Sequence, residues 1–334
     1  MQILVTGVAG FIGFHTAKTL LTKGATVIGI DNLNAYYDVN LKLARLKELV
    51  SFDAFTFHKI DIADSKKLEQ LFTGNTFDTV IHLAAQAGVR YSLENPAAYI
   101  QSNLVGFANI LECCRHHAIK HLVFASTSSV YGANGKYPFQ ETDNVDHPKS
   151  LYAATKKSNE LMAHSYASLY QLPCTGLRFF TVYGPWGRPD MAYFKFVHKI
   201  LNNEPIDVYN NGHMKRDFTY IDDVVDGILK AAAKPAIPDT QWNKKHPNPP
   251  TSYAPYRIYN IGNNTPVDLL EFIHEIERCV GKKAVLNLMP MQAGDVEETW
   301  ADCGALEAAL GYKSKTLVKE GIREFAEWYQ SFYF

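Results

Sequence analysis

Tyr152 and Lys156 stand four residues apart in Tyr152-Ala153-Ala154-Thr155-Lys156, a spacing that puts both on one face of a helix. A free phenol with a pKa near ~10 is a poor base at neutral pH. A neighbouring ammonium and a positively charged nicotinamide both favour its phenolate and bring it towards the working range. Lys156 can also hydrogen-bond a nicotinamide ribose. This pairing is common by chance and gains meaning from the start of the chain. There, Ile3 to Thr6 is an apolar strand that runs into Gly7, Gly10 and Gly13 and then into a helical pattern. Glycines in that context allow a tight turn, let backbone N–H groups approach a pyrophosphate, and let helix and strand pack closely. The helix N-terminus adds partial positive charge. The Gly-x-x-Gly-x-x-Gly spacing is one residue looser than the usual fingerprint.

Asp31 closes the second strand, eighteen residues past Gly13. A carboxylate there accepts from both adenosine ribose hydroxyls and repels a 2′-phosphate. Asn32 and Leu33 after it offer no cation, so NAD is favoured over NADP. Asp61 ends the third strand and either meets the adenine edge or caps a helix through Asp61 to Asp64. Further along, Phe124 to Gly132 contains four consecutive hydroxyls, Ser126, Thr127, Ser128 and Ser129. At the carboxyl end of a parallel strand these point into the ligand crevice. One of them can share a proton with a substrate hydroxyl and with Tyr152. The alternative is a hydroxyl-rich turn that caps the next segment.

The elements that must carry these residues follow from the hydrophobic pattern. Strands are expected at 3–6, 26–30, 55–60, 79–84, 122–125 and 176–180. Helices are expected at 12–23, 65–72, 96–116 and 152–170. Such alternation implies right-handed crossovers and a mostly parallel, Rossmann-type α/β sheet. The second half changes character, with short strands at 202–209, 257–261 and 284–288 and helices at 222–233, 267–280 and 317–329. The proline-rich stretch 235–255 reads as an irregular surface loop. The expected division is a dinucleotide-binding domain of residues 1–180, with returning segments near 215–235 and 257–262. A smaller, discontinuous α/β lobe would take residues 181–214 and 263–334.

Composition narrows the partners. The chain has 334 residues, is 47% hydrophobic and carries a formal net charge of −1, so nothing in its charge calls for nucleic acid or an anionic membrane. Any anionic ligand must find a local basic pocket. Five cysteines without a Cys-x-x-Cys read as buried thiols, not as a disulfide framework. No secretory signal and no run near the ~20 apolar residues of a membrane helix is evident, so a cytoplasmic enzyme is expected. The twelve histidines are scattered, and no metal site is expected.

Several longer motifs carry a resemblance. Phe11-Ile12-Gly13, His82-Leu83-Ala84-Ala85, Val130-Tyr131-Gly132 and Tyr152 to Lys156 resemble the extended short-chain dehydrogenase/reductases, in the branch that epimerises nucleotide sugars. The run from Arg178 to Ala192 is more specific and includes Arg188-Pro189-Asp190-Met191-Ala192. Together with Asp38 to Lys42, Ala87 to Arg90 and Ser252 to Tyr256, it closely resembles the UDP-glucuronate 4-epimerases. The resemblance covers essentially the whole chain.

It implies NAD held by Gly7, Gly10, Phe11, Ile12, Gly13, Asp31, Asn32, Asp61, Ile62, Leu83, Ala84, Ala85, Tyr152, Lys156 and Tyr183. It implies Tyr152 as acid/base, Lys156 as its electrostatic partner, and Thr127 as the hydroxyl bridging to sugar O4, where many relatives carry serine. Interconversion of UDP-glucuronate and UDP-galacturonate would run through transient oxidation at C4 and return of hydride to the opposite face. The 4-keto uronate is a β-keto acid able to lose CO₂, so its carboxylate must be clamped. The clamp maps onto Ser126, Thr127, Ser128, Thr181 and Arg188, and Arg188 offers a planar fork. Related decarboxylases and dehydratases place an acid just after the catalytic hydroxyl, where this chain has Ser128 and Ser129. At the nucleotide end, Arg216 is assigned to the diphosphate and Asp295, in Gly294-Asp295-Val296, to the uridine ribose. Arg90 faces substrate or protein. A UDP-sugar partner and a homodimer built on helices 96–116 and 152–170 are implied. The rival readings are a UDP-glucose/UDP-galactose 4-epimerase, then a uronate decarboxylase or a sugar dehydratase, and, in a different class, a non-catalytic NAD-sensing protein on the same fold.

Overall fold

The computed structural model describes residues 1–292 and 295–334. Its strands are β1 (Gln2–Thr6), β2 (Thr26–Asp31), β3 (Phe55–Lys59), β4 (Thr79–His82), β5 (His121–Thr127), β6 (Cys174–Phe179), β7 (Thr181–Tyr183), β8 (Ile206–Val208), β9 (Lys215–Tyr220), β10 (Tyr256–Ile261), β11 (Pro266–Asp268) and β12 (Leu286–Leu288). Among the described residues, seven strands form one parallel sheet in the order β10-β6-β5-β4-β1-β2-β3. The order reverses between β1 and β4, the switch point at which open α/β sheets bind ligands. Nearly continuous burial of β1, β4, β5 and β6 reflects helices on both faces, as all-parallel sheets require.

The glycine turn is fixed by sterics. Gly7 has φ +70°, and a Cβ there would lie 2.7 Å from the Ala84 backbone nitrogen. A Cβ on Gly13 would lie 2.1 Å from the Gly7 carbonyl oxygen. Gly13→Ala is therefore expected to destabilise the protein by on the order of 3–5 kcal/mol, because backbone must move to admit the methyl. A thermal melt of the variant beside the parent checks this, and an unchanged midpoint would contradict the packing described.

The Leu151–Tyr170 helix begins at Ser150, whose hydroxyl accepts from Ala153 N at 3.2 Å, a side-chain N-cap. It ends at Gln171 in the left-handed region. The expected 96–116 helix is not uniform. Pro96–Tyr99 is α-helical, Ile100–Val105 is π-helical and Gly106–His116 is α-helical again. Ile100, Val105, Leu161 and Leu169 stay exposed on this pair of segments.

The second half departs further from expectation. The expected 202–209 strand shrinks to β8, and an unforeseen helix at Ala192–Leu201 precedes it. Val267 belongs to β11, and the following helix starts at Leu269. The helix Val39–Leu49, capped by Asp38, was not expected as an element. β10 returns to the edge of the large sheet beside β6, and the Ile221–Ala233 helix packs on the Phe11–Thr22 helix. β9 lies between β11 and β7 in a separate three-stranded sheet. Residues 215–220, expected to return to the larger domain, pair with β7 and β11.

Candidate active site

Residues from both halves of the chain line one cavity of about 800 Å³. At one end lie Gly7, Gly10, Phe11, Ile12, Gly13, Asp31, Asn32, Ile62, Leu83, Ala84 and Ala85. Gly10 provides no side-chain cap for the Phe11–Thr22 helix, so its first-turn N–H groups are available to an anion. The Asp31 carboxylate accepts from Leu33 N at 2.8 Å and Ala9 N at 3.2 Å. Burial lifts its carboxyl above the usual range, against the pull of those N–H groups and of Lys42 and Arg45. The cradle closed by Gly7 and Gly13 and the ribose-height carboxylate fit a dinucleotide.

Two of the expected cofactor residues sit elsewhere. Asp61 does not line the cavity. Its carboxylate accepts from Asn32 Nδ2 at 2.9 Å and from Ala63 N at 2.8 Å, and Asp64, not Asp61, caps the next helix. Tyr183 is a correction. It is buried in the small lobe against Tyr193, Phe218, Tyr220 and Phe272, away from the cavity lining. The resemblance implied a cofactor contact, but β7, paired with β9, carries this side chain into that aromatic core.

Tyr152, Lys156, Thr127, Ser128 and Thr181 all line the middle of the cavity. Burial raises the Tyr152 phenol above its usual pKa, while the Arg188 charge and the Thr127 hydroxyl pull it down. The sequence assigns that pull to Lys156. In the structure Arg188 is the leading opposing charge, and burial lowers Lys156 itself to about 8 against the attraction of Glu160. Ser126 also lines the cavity. Its hydroxyl donates to Glu160 Oε1 at 2.7 Å, so that proton is engaged by protein while the oxygen can still accept. Glu160 receives Arg178 Nε at 2.9 Å and Nη2 at 3.0 Å, and Arg178 reaches the Tyr131 hydroxyl, which donates to Asn260 at 2.7 Å. This buried network joins the Tyr152 helix to β5, β6 and β10.

Arg188 lines the cavity with its fork already engaged. Nε donates to Asp190 Oδ1 at 3.0 Å and Nη2 to Oδ2 at 2.5 Å. At the nucleotide end, Arg216 donates to the carbonyls of Lys215, Val296 and Glu297. Asp295 pairs with Arg90 at 3.2 Å, and Arg90 also lies over the Tyr209 ring at 5.2 Å. Two residues assigned to separate targets thus hold each other across the mouth. Gly294 lies outside the described residues.

Other residues of the site were not singled out in the sequence. Lys42 is buried beside Asp31, where the sequence reading saw no cation. Its ammonium is spent on the Asn34 carbonyl and side-chain oxygen, both at 2.7 Å. Arg45 bridges the Ala9 carbonyl to those of Trp186 and Gly187, tying the glycine turn to the Arg188 segment. Asn103, in the π-helical stretch, hydrogen-bonds Gln86 in both directions and donates to Thr155. Glu160 had a signal, four residues beyond Lys156 on the same helical face. Among the described residues, no cluster of three or more His, Cys, Asp or Glu could hold a metal ion, and no helix is long and apolar enough to cross a membrane.

A parallel sheet with a glycine cradle and a Tyr–Lys pair at its switch point defines a dinucleotide-dependent enzyme of the short-chain dehydrogenase/reductase type. Residues 3–262 match the NAD dependent epimerase/dehydratase family, and the chain belongs to it. It is 55% identical over 333 residues to Protein CapI of Staphylococcus aureus, covering 100% of this chain and 99% of that one. It is 50% identical over 337 residues to a probable UDP-glucuronate 4-epimerase of Rhizobium meliloti, covering 100% and 98%. Its structure resembles that of the UDP-glucuronic acid 4-epimerase from Bacillus cereus in complex with UDP-glucuronic acid and NAD. The TM-score is 0.88 at 32% identity, and both chains are fully covered.

Proposed function

We propose that the protein interconverts UDP-glucuronate and UDP-galacturonate by NAD-dependent epimerisation at C4. One observation carries this reading. Tyr152, Thr127 and Arg188 line the same cavity as the glycine cradle, which puts a proton carrier and a carboxylate-binding fork beside a dinucleotide site. The relatives named above support the same substrate.

NAD, held by the glycine cradle and Asp31, would supply the reversible hydride acceptor that C4 oxidation needs. Tyr152 takes the C4 hydroxyl proton and returns it, with Thr127 bridging the two oxygens. Arg188, Ser128 and Thr181 hold the C5 carboxylate away from the alignment that releases CO₂. Lys156 anchors the nicotinamide ribose, and Arg216 and Asp295 take the diphosphate and uridine ribose. The exposed Ile100, Val105, Leu161 and Leu169 support a homodimer across the Pro96–His116 and Leu151–Tyr170 segments, which sedimentation of the purified protein reads directly.

The decisive assay gives the protein UDP-glucuronate deuterated at C4 and, separately, UDP-glucose. The expected product is UDP-galacturonate that keeps the deuterium, with no CO₂ released. Faster turnover of UDP-glucose, or loss of the label, overturns the reading.

A further inference from the structure

The fork of Arg188 is filled by a carboxylate of its own chain. Asp190 meets it with both oxygens, in the planar two-bond geometry that a uronate would adopt. The Tyr36 hydroxyl donates to the same carboxylate at 3.1 Å. Arg188, Asp190 and Tyr36 all line the cavity. Tyr36 is held in turn, its ring tilted against Tyr91 at 4.8 Å and its hydroxyl packed over Gly88, where a Cβ would lie 2.5 Å away. Burial opposes the charge on Asp190, but Arg188 and Tyr36 outweigh it and keep the carboxyl below its usual range. Asp190 is therefore a charged carboxylate on the group assigned to the substrate carboxylate.

The geometry points to Asp190 as an internal stand-in for the substrate carboxylate, which exchanges with it on Arg188 when a uronate binds. This rests on the assignment of Arg188 to that carboxylate. The exchange sets the margin between uronate and neutral sugar. A neutral hexose leaves the Arg188–Asp190 pair intact, so no guanidinium is left unpaired and the sugar is tolerated. A uronate must first break two charge-assisted hydrogen bonds and then sit near a displaced anion, which weakens its binding. Asp190 thus narrows a selectivity that Arg188 alone would make wide.

Asp190→Asn keeps the size and removes the charge. The KM for UDP-glucuronate is expected to fall by about tenfold, one decade of affinity, with kcat changing much less. The Ki of UDP-glucose as a competitor is expected to rise. Tyr36→Phe, which only loosens Asp190, should lower the same KM by about threefold, and it carries the test should Asp190→Asn fail to fold. Arg188→Met should raise the KM for UDP-glucuronate, and in that background the Asp190 effect should vanish, since the two act through one contact. An unchanged or raised KM for UDP-glucuronate in Asp190→Asn, or in Tyr36→Phe where that carries the test, overturns the exchange while leaving the Arg188 assignment standing. An unchanged KM in Arg188→Met overturns that assignment itself and the exchange with it.

Discussion

Tyr152→Phe is expected to lower kcat for UDP-glucuronate by about a thousandfold, within the range that a positioned proton carrier contributes, while NAD remains bound. The substitution removes one oxygen from a side chain that is otherwise held by packing, including an edge contact with Tyr99 at 6.0 Å between centroids. The ring should stay where it is. The expected loss follows from the environment of the hydroxyl. Burial holds it protonated, Arg188 and Thr127 pull the other way, and Asp190 adds to the burial effect. A phenol balanced in this manner is sensitive to any added positive charge, so a cationic cofactor ring shifts it towards phenolate. Measuring kcat together with the NAD content of the purified variant separates the outcomes. Full turnover in the variant would show that another group moves the proton, and loss of NAD along with turnover would show that Tyr152 is mainly a cofactor ligand.

How the sequence served depends on the range of the contacts involved. The glycine turn, Asp31 and the Tyr152–Lys156 pair were legible because each depends on local geometry, a strand-turn-helix or an i,i+4 face. The centre of the parallel sheet was legible because β1, β4 and β5 are built on continuous apolar runs of the right length. The small lobe was harder to read. Its strands have three to six residues, and two helices, Ala192–Leu201 and Gly304–Leu310, were not foreseen. Tyr183 was misplaced because the direction of a side chain after β6 depends on how β7 pairs with β9, a contact across 35 or more residues of chain. The pairings Arg188–Asp190 and Arg90–Asp295 illustrate the same limit. The sequence displays the cations and the anions but not that each neutralises the other. Lys42 and Arg45 were hidden in a helix whose apolar face is short. The Ser126 hydroxyl looked available because its partner, Glu160, lies 34 residues away.

That partner leads to the second large effect. Glu160→Gln is expected to reduce stability by about 3 kcal/mol or more, the cost of leaving a buried charge without its counterpart. Glu160 is 1% exposed and Arg178 is 2% exposed at the side chain, so water cannot replace the lost charge. A glutamine keeps one acceptor oxygen but cannot serve Ser126 and both Arg178 nitrogens as an ion does. The same change reaches the catalytic helix. Burial brings Lys156 down to about 8, and Glu160 is the charge that resists this. Without it the ammonium titrates below about 8, so the alkaline limb of the kcat/KM profile should move to lower pH. The stability linkage has a definite sign. The folded pKa of Lys156 lies below its unfolded value of 10.5, so between about 8 and 10.5 the unfolded chain holds a proton that the folded one has released. The contribution of this group to stability therefore rises with pH across that window, and in Glu160→Gln the window opens earlier. Thermal melts against pH, set beside the rate profile, test both consequences together. An alkaline limb that moves upward would mean that Glu160 does not support Lys156, and a midpoint equal to that of the parent would mean that it does not compensate Arg178. The residue that ties the Tyr152 helix to β5 and β6 is also the one whose charge opposes the effect of burial on its lysine.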